Sequence, residues 1–466
     1  MSNGARALRR RILKRASRRR QTTGLPRGPE RMPLPRPINP SYTLGVLTIA
    51  STLSYLDRQI LGLLAEPLRQ DLHLTDLQIG LLQGFTFAIV LATAGLPLGR
   101  LVDTGNRVRI AAVGIALWSI MTAACGFAGN FGALLLCRTG VAFGEAALTP
   151  AAYSLISDLF PTRRRGLAIS IYSTGAFIGA GLSLVLAATV LHELSSAGNV
   201  FLLSGMQYIW QMVFVFIGLP GIVVALWAAS LKEPRKHSGT VPAPVPGMAE
   251  IRAYFSNNRV ELASLYFCLG FAATQAYSYS AWIPTVLIRT FHMPLVAIGF
   301  SLGPLLIASS VSGLLFGAVL GDSLVRRGIA AARPILMCGA ALAASLFAAA
   351  VPFASTLNAA LALISIATFL STVIVANGPP ALQDITPSRM RGISSAVGIL
   401  IVTLIGMGVG PTVVGFVSQN IIGDPNKIGV ALSIVSSAAL VVSSALALVA
   451  IFNYKLESDN TAARAV

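Results

Sequence analysis

Asp158–Gly166 reads DLFPTRRRG, and Asp384–Gly392 reads DITPSRMRG. The Asp, the Pro, the two outer arginines and the Gly fall at the same places, and Thr162 is matched by Ser388. Long apolar runs lie on either side of each copy, four before it and two after it within its own half of the chain. Six crossings separate the two copies, and an even number returns the chain to the same side of a membrane. The chain is therefore expected to be a parallel repeat of two six-helix halves. In transporters built this way the substrate site lies near the midplane, between the repeats.

The runs themselves are long enough, since about 20 apolar residues suffice to span a bilayer as a helix. The expected spans of the first half are Tyr42–Glu66, Leu77–Leu101, Arg109–Ala128, Phe131–Leu159, Gly166–Leu191 and Tyr208–Leu231. Those of the second are Val260–Arg289, Val296–Val325, Pro334–Phe353, Leu357–Ile385, Ile393–Ile421 and Ile428–Tyr454. This divides the chain into a tail (1–40), a bundle (41–231), a linker (232–256), a second bundle (257–455) and a C-terminal tail (456–466). The linker carries Pro234, Pro242, Pro244 and Pro246, too many prolines for a span, and the stretch with Ile251, Tyr254 and Phe255 suits an interfacial helix. The fold class is an all-α membrane protein with 12 transmembrane helices in two pseudo-symmetric bundles.

Composition agrees. Of 466 residues 55% are hydrophobic and only 11% charged, against roughly 25% charged in soluble chains. The net charge of +18 is concentrated in residues 1–40, where twelve basic side chains stand against Glu30. That tail has no apolar run, so it reads as a disordered segment and not as a signal peptide. The remaining basic residues cluster in alternate loops, among them Arg107, Arg163, Arg235, Arg326 and Arg389, whereas the opposite loops hold Arg69, Arg289 and Lys427. By the positive-inside rule both termini are expected in the cytoplasm. The basic tail then faces membrane lipid, and nothing else supports nucleic acid as a partner. Cys125, Cys137, Cys268 and Cys338 lie in apolar runs without metal-ligand spacing. No P-loop, dinucleotide fingerprint or HExxH pattern is present. A gradient-driven carrier without metal or cofactor is expected, and not an enzyme.

Ionisable groups at bilayer depth cost about 2.5–3.5 kcal/mol each on insertion scales, so they need a partner or a task. Asp57 and Arg58 lie within the first span, and Arg138 and Glu145 within the fourth. Seven helical residues put Arg138 and Glu145 on one face about 10 Å apart, and Asp57 and Arg58 diverge by about 100°. Two acids and two bases can neutralise one another around a central cavity. An arginine then binds an anionic headgroup, and Asp57 or Glu145 exchanges a proton. Tyr277, Tyr279 and Trp282, ahead of Pro284, are candidates to line that cavity. The glycines from Gly175 to Gly181 and from Gly406 to Gly415 suit tight helix contacts. After the second span, GRLVDTGNRVR (Gly99–Arg109) places Gly99 for close approach and Asp103 near Arg107 and Arg109. Such a pair can latch one state and release in another. Asp158 and Asp384 are candidates for similar latches.

GRLVDTGNR resembles the loop motif between spans two and three of the major facilitator superfamily. YLDRQ, with RTGVAFGEAALTPAAYSLISDLFP, is similar to the Spinster-like branch of that family, and the likeness runs from Tyr42 to Tyr454. The resemblance implies proton-coupled alternating-access transport of lysosphingolipid- or lysophospholipid-like amphiphiles by a monomer. It makes Asp57, Arg58, Arg138 and Glu145 the cavity charges, and Asp103 and Arg107 part of an intracellular gate with Gly99. Thr104 departs from the basic residue usual after the motif's Asp, and the second-half motif around Asp322 has its first Gly displaced by one. Few lysines among many arginines suggest a bacterial inner membrane. A proton-coupled symporter of small organic anions is the alternative. A non-transporting sensor or scaffold, from a different class, would bind its ligand without turnover.

Overall fold

The computed structural model describes residues 39–196, 208–234, 247–329, 331–387 and 389–464. The expected tail over residues 1–38 and the proline-rich part of the linker lie outside these. The described helices run α1 Pro40–Asp71, α2 Asp76–Thr104, α3 Arg107–Cys125, α4 Phe131–Leu159, α5 Thr162–Ser196 and α6 Ile209–Ala229. After the linker helix Met248–Asn257 come α7 Arg259–Phe291, α8 Leu295–Arg326, α9 Ala332–Ala350, α10 Leu357–Ile385, α11 Arg391–Ile422 and α12 Ile428–Arg464. Among the described residues, ten of these segments are long and apolar enough to cross a membrane by length and composition. The two long helices outside that group are α1, with Asp57, Arg58 and Glu66, and α7, with Gln275 and several Ser and Tyr. Polar residues that dilute a span face the protein interior by default.

Helix α12 continues to Arg464, through the segment expected as a tail. No Gly or Pro follows Gly429, so nothing in the local sequence stops it. The linker helix buries none of its residues. Its Tyr254 hydroxyl donates to Thr386 Oγ1 at 2.9 Å, which ties it to the end of α10.

Three helices are interrupted. Pro150 cannot donate to Ala146, and α4 breaks between Glu145 and Leu148. Helix α2 breaks at Gly84. Helix α11 contains π-helical stretches at Val402–Val409 and Val417–Ile422 on either side of Pro411. Such irregular turns are frequent at functional sites.

The halves meet at one end only, among the contacts resolved here. Gln59 of α1 pairs with Ser280 of α7, and Thr412 of α11 donates to Gly80 O of α2 at 3.2 Å. Gly181 of α5 lies on Ile307 of α8. Each of these residues is in the half of its helix remote from the chain termini. A Cβ on Gly80 would stand 2.6 Å from Pro411 O, whereas one on Gly99, at the terminus-bearing end, would meet nothing within 4 Å. The close approach expected at Gly99 is therefore absent in this conformation, because the halves are splayed there. The molecule is shut at the remote face and open toward the face that bears the termini. Gly175 and Gly179, by contrast, do sit tightly, against the backbone of α1.

Candidate functional site

Asp57 and Arg58 leave α1 in different directions, and each finds its own partners. The Arg58 guanidinium forms an ion pair with Glu145, whose side chain is fully buried. Thr122 Oγ1 of α3 donates to Asp57 Oδ2 at 3.2 Å. Arg138 does not close the square expected from the sequence: its Nη1 donates to the backbone oxygen of Asp57 at 3.4 Å. Glu145 closes the unbroken helical segment Phe131–Glu145 that also carries Arg138, just before the break in α4, and it meets Arg58 across the contact of α1 with α4. Both guanidinium groups stand over Phe87 of α2, each 5.0 Å from the ring centroid. Tyr55 lies 4.7 Å from Arg58. Such cation–π contacts contribute about 0.5–2 kcal/mol each when desolvated.

The cluster is incompletely satisfied. Arg138 is 1% exposed, yet its Nε and Nη2 have no hydrogen-bond partner, and the same holds for Asp57 Oδ1 and Glu145 Oε1. A buried, unpaired N–H on a guanidinium is costly enough to call for an acceptor. Beside the cluster lies a small cleft lined by Arg58, Gln59, Gln83, Tyr277, Ala281, Met407 and Pro411. It is bounded by α1 and α2 on one side and by α7 and α11 on the other, so it sits between the halves. The two walls differ in chemistry. No Asp, Glu, Lys or Arg stands between Glu261 and Arg289 in α7, nor within Gly392–Ile422 in α11.

Of the three aromatics expected at a cavity, Tyr277 borders the cleft. Trp282 does not: it is fully buried and donates from Nε1 to Pro411 O at 2.9 Å. Tyr279 is likewise buried, within the second half. Gln59, Gln83, Phe87 and Thr122 escaped the sequence reading, since neutral and aromatic side chains in a span carry no signal of their own.

At the terminus-bearing end Asp158 and Asp384, the residues expected as latches, form ion pairs. Arg107 pairs with Asp158 at 2.5 Å and with Glu233 at 2.6 Å. Asp103, at the end of α2, is exposed, and the carboxylates against Arg107 are those of Asp158 and Glu233. Arg333 of α9 pairs with Asp384 at 3.1 Å and with Asp322 at 2.9 Å. Arg107 precedes Asp158, and Arg333 precedes Asp384, by the same 51 residues. The repeat thus extends to a tertiary contact. The arginines inside the repeated motif serve elsewhere: Arg165 donates to Ser157 O at 2.9 Å and Arg391 to Thr386 O at 3.3 Å, capping α4 and α10.

Comparison with known proteins fits this architecture. The Major Facilitator Superfamily profile matches residues 47–411. The chain belongs to the major facilitator superfamily. An MFS-type efflux pump of Mycolicibacterium smegmatis is 30% identical over 82% of this chain and 85% of its own. A probable L-galactonate transporter of Escherichia coli is 28% identical, over 70% of this chain and 71% of its own. Among solved structures, a bacterial homolog of the human lysosomal transporter Spinster, inward-facing and unoccupied, is 29% identical with a TM-score of 0.76. That match covers 90% of this chain and 97% of the other. The Spinster-like resemblance read from YLDRQ is thus met by the overall structure, and this major facilitator chain is a membrane transporter.

Proposed function

We propose that this transporter carries an anionic amphiphile of the lysolipid type, in a bacterial inner membrane, with a proton taken up at Asp57 or Glu145. The observation that carries the reading is Arg138, buried at 1% exposure with Nε and Nη2 unpartnered. An anionic headgroup supplies the acceptors it lacks. The difference between the two walls supports an amphiphile: charges stand on the first half, while Ala281, Met407 and Pro411 of the second half face them across the cleft. A carboxylate whose partner is an arginine that also meets substrate is suited to proton coupling, because substrate arrival frees the acid. The four charges act as one set, and the proton belongs to the set before it belongs to either acid.

A second reading has its own support. Gln59, Gln83 and Tyr277 offer hydrogen bonds suited to a polyhydroxy acid. The L-galactonate relative in Escherichia coli points the same way.

The test is reconstitution of the pure protein in liposomes, with lysosphingolipid and a sugar acid offered separately, each with and without a pH gradient. Gradient-dependent lysolipid transfer is the expected result. Sugar-acid uptake without lysolipid transfer would replace the amphiphile by the small anion. With the Glu145→Gln variant, substrate-driven proton movement is expected to stop. Wild-type proton movement in that variant would remove Glu145 as the coupling acid.

A further inference from the structure

Arg289, in the last turn of α7, is held between two carboxylates of the other half. Its Nη2 lies 2.7 Å from Glu66 Oε2 of α1 and 2.9 Å from Asp76 Oδ1 of α2. It also donates from Nη1 to Pro425 O at 2.8 Å. Ser418 of α11 completes the group, donating to Asp76 Oδ2 at 2.8 Å. Arg69 and Gln70 hold the Glu66 carboxylate from its own helix, at 3.1 and 2.8 Å. The side chains of Arg289, Glu66 and Asp76 are each no more than 5% exposed.

The position of the group relative to the cleft is regular. The cleft takes Gln59 from α1, Gln83 from α2, Ala281 from α7 and Pro411 from α11. Glu66, Asp76 and Ser418 each stand seven residues from the cleft residue of their helix, and Arg289 stands eight away. Seven residues return to nearly the same helical face after two turns, about 10 Å farther along. Each helix that walls the cleft therefore contributes one member to a polar layer directly over it, on the remote side. The capping box of Thr75 with Gln78 fixes the first turn of α2 and so the place of Asp76.

The ion pairs at the other end of the molecule differ in kind. Arg107 with Asp158 and Glu233 lies within the first half and its linker, and Arg333 with Asp322 and Asp384 lies within the second. Neither joins the halves.

We propose that Glu66, Asp76, Arg289 and Ser418 form the gate that closes the cleft toward the face opposite the termini, and that substrate crosses that face only when Arg289 leaves both carboxylates. The proposal stands whichever substrate the cleft takes. A buried ion group between halves is a two-state element: intact it holds this conformation, and its release lets the remote ends part.

The test measures the gap between the remote ends directly. Spin labels at His73→Cys and Lys427→Cys, in a background without the four native cysteines, report the distance from the first half to the second. The parent protein is expected to show mainly the short distance of the closed remote face. Arg289→Gln is expected to add a longer distance and to raise its population roughly tenfold. Arg289→Lys, which keeps the charge, should restore most of the short one. Unchanged distances in a monodisperse Arg289→Gln protein would overturn the gate and leave a static brace. If that variant aggregates, the triple change Glu66→Gln, Asp76→Asn, Arg289→Gln decides on the same readout. It keeps hydrogen-bonding side chains and removes all three charges buried between the halves, while Arg69, whose side chain is 29% exposed, turns to water.

Discussion

At Arg138 a guanidinium has given up nearly all of its water for one long bond to the Asp57 carbonyl and the face of Phe87. Arg58, by contrast, is neutralised by Glu145. The two arginines therefore have different tasks: Arg58 holds the acid with only its Nε unpaired, and Arg138 lacks acceptors at both Nε and Nη2. Arg138→Met is expected to weaken anion binding by at least about 2 kcal/mol, or more than tenfold, measured by calorimetry on the purified protein. Trp282→Phe is the contrasting change. It removes the donor to Pro411 O, and is expected to cost about 1 kcal/mol of stability with affinity unaltered. A loss of binding in Trp282→Phe would mean that the aromatic does reach the substrate.

The elements show why the site forms where it does. Each break falls at the depth of the cleft: Gly84 in α2, Ala146–Ala147 in α4, and the π-helical turns of α11 beside Pro411. Pro150 is the clearest cause, since its missing N–H leaves the Ala146 carbonyl, just after Glu145, without its helical donor. At the open end, the same helices carry small residues with space around them. Gly99 has nothing within 4 Å, although its motif places it for close packing. If the open end closes during transport, close packing at Gly99 is expected in that conformation. Gly99→Val is expected to leave thermal stability within about 0.5 kcal/mol while slowing transport severalfold. Transport at the parent rate would show that α2 never packs tightly at Gly99.

Across the whole molecule, contacts between halves are concentrated in the remote half of the helices. Gly80 and Thr412 are the most direct point at which to hold that closure, because a Cβ on Gly80 would lie 3.0 Å from the Thr412 Cα. A disulfide between Gly80→Cys and Thr412→Cys is expected to stop transport, and reduction to restore it. Undiminished turnover of the fully cross-linked protein would mean that the remote face need not open.

The repeat DLFPTRRRG/DITPSRMRG, the spacing of the apolar runs and the charges in spans one and four were legible in the sequence, and they determined the two six-helix halves. They did so because period, length and charge in a bilayer are local properties: a run either is long enough to span or is not, and a buried charge announces itself. Partner choice was not local. That Glu145 takes Arg58 and leaves Arg138 to a carbonyl depends on how α1 packs against α4. That Arg107 meets Asp158 and Glu233 depends on how α3, α4 and the linker pack. Arg289 read as a loop charge, and only the approach of α1, α2 and α11 made it the centre of a buried clasp. Such contacts join residues more than 200 positions apart, so the packing of the halves decided them.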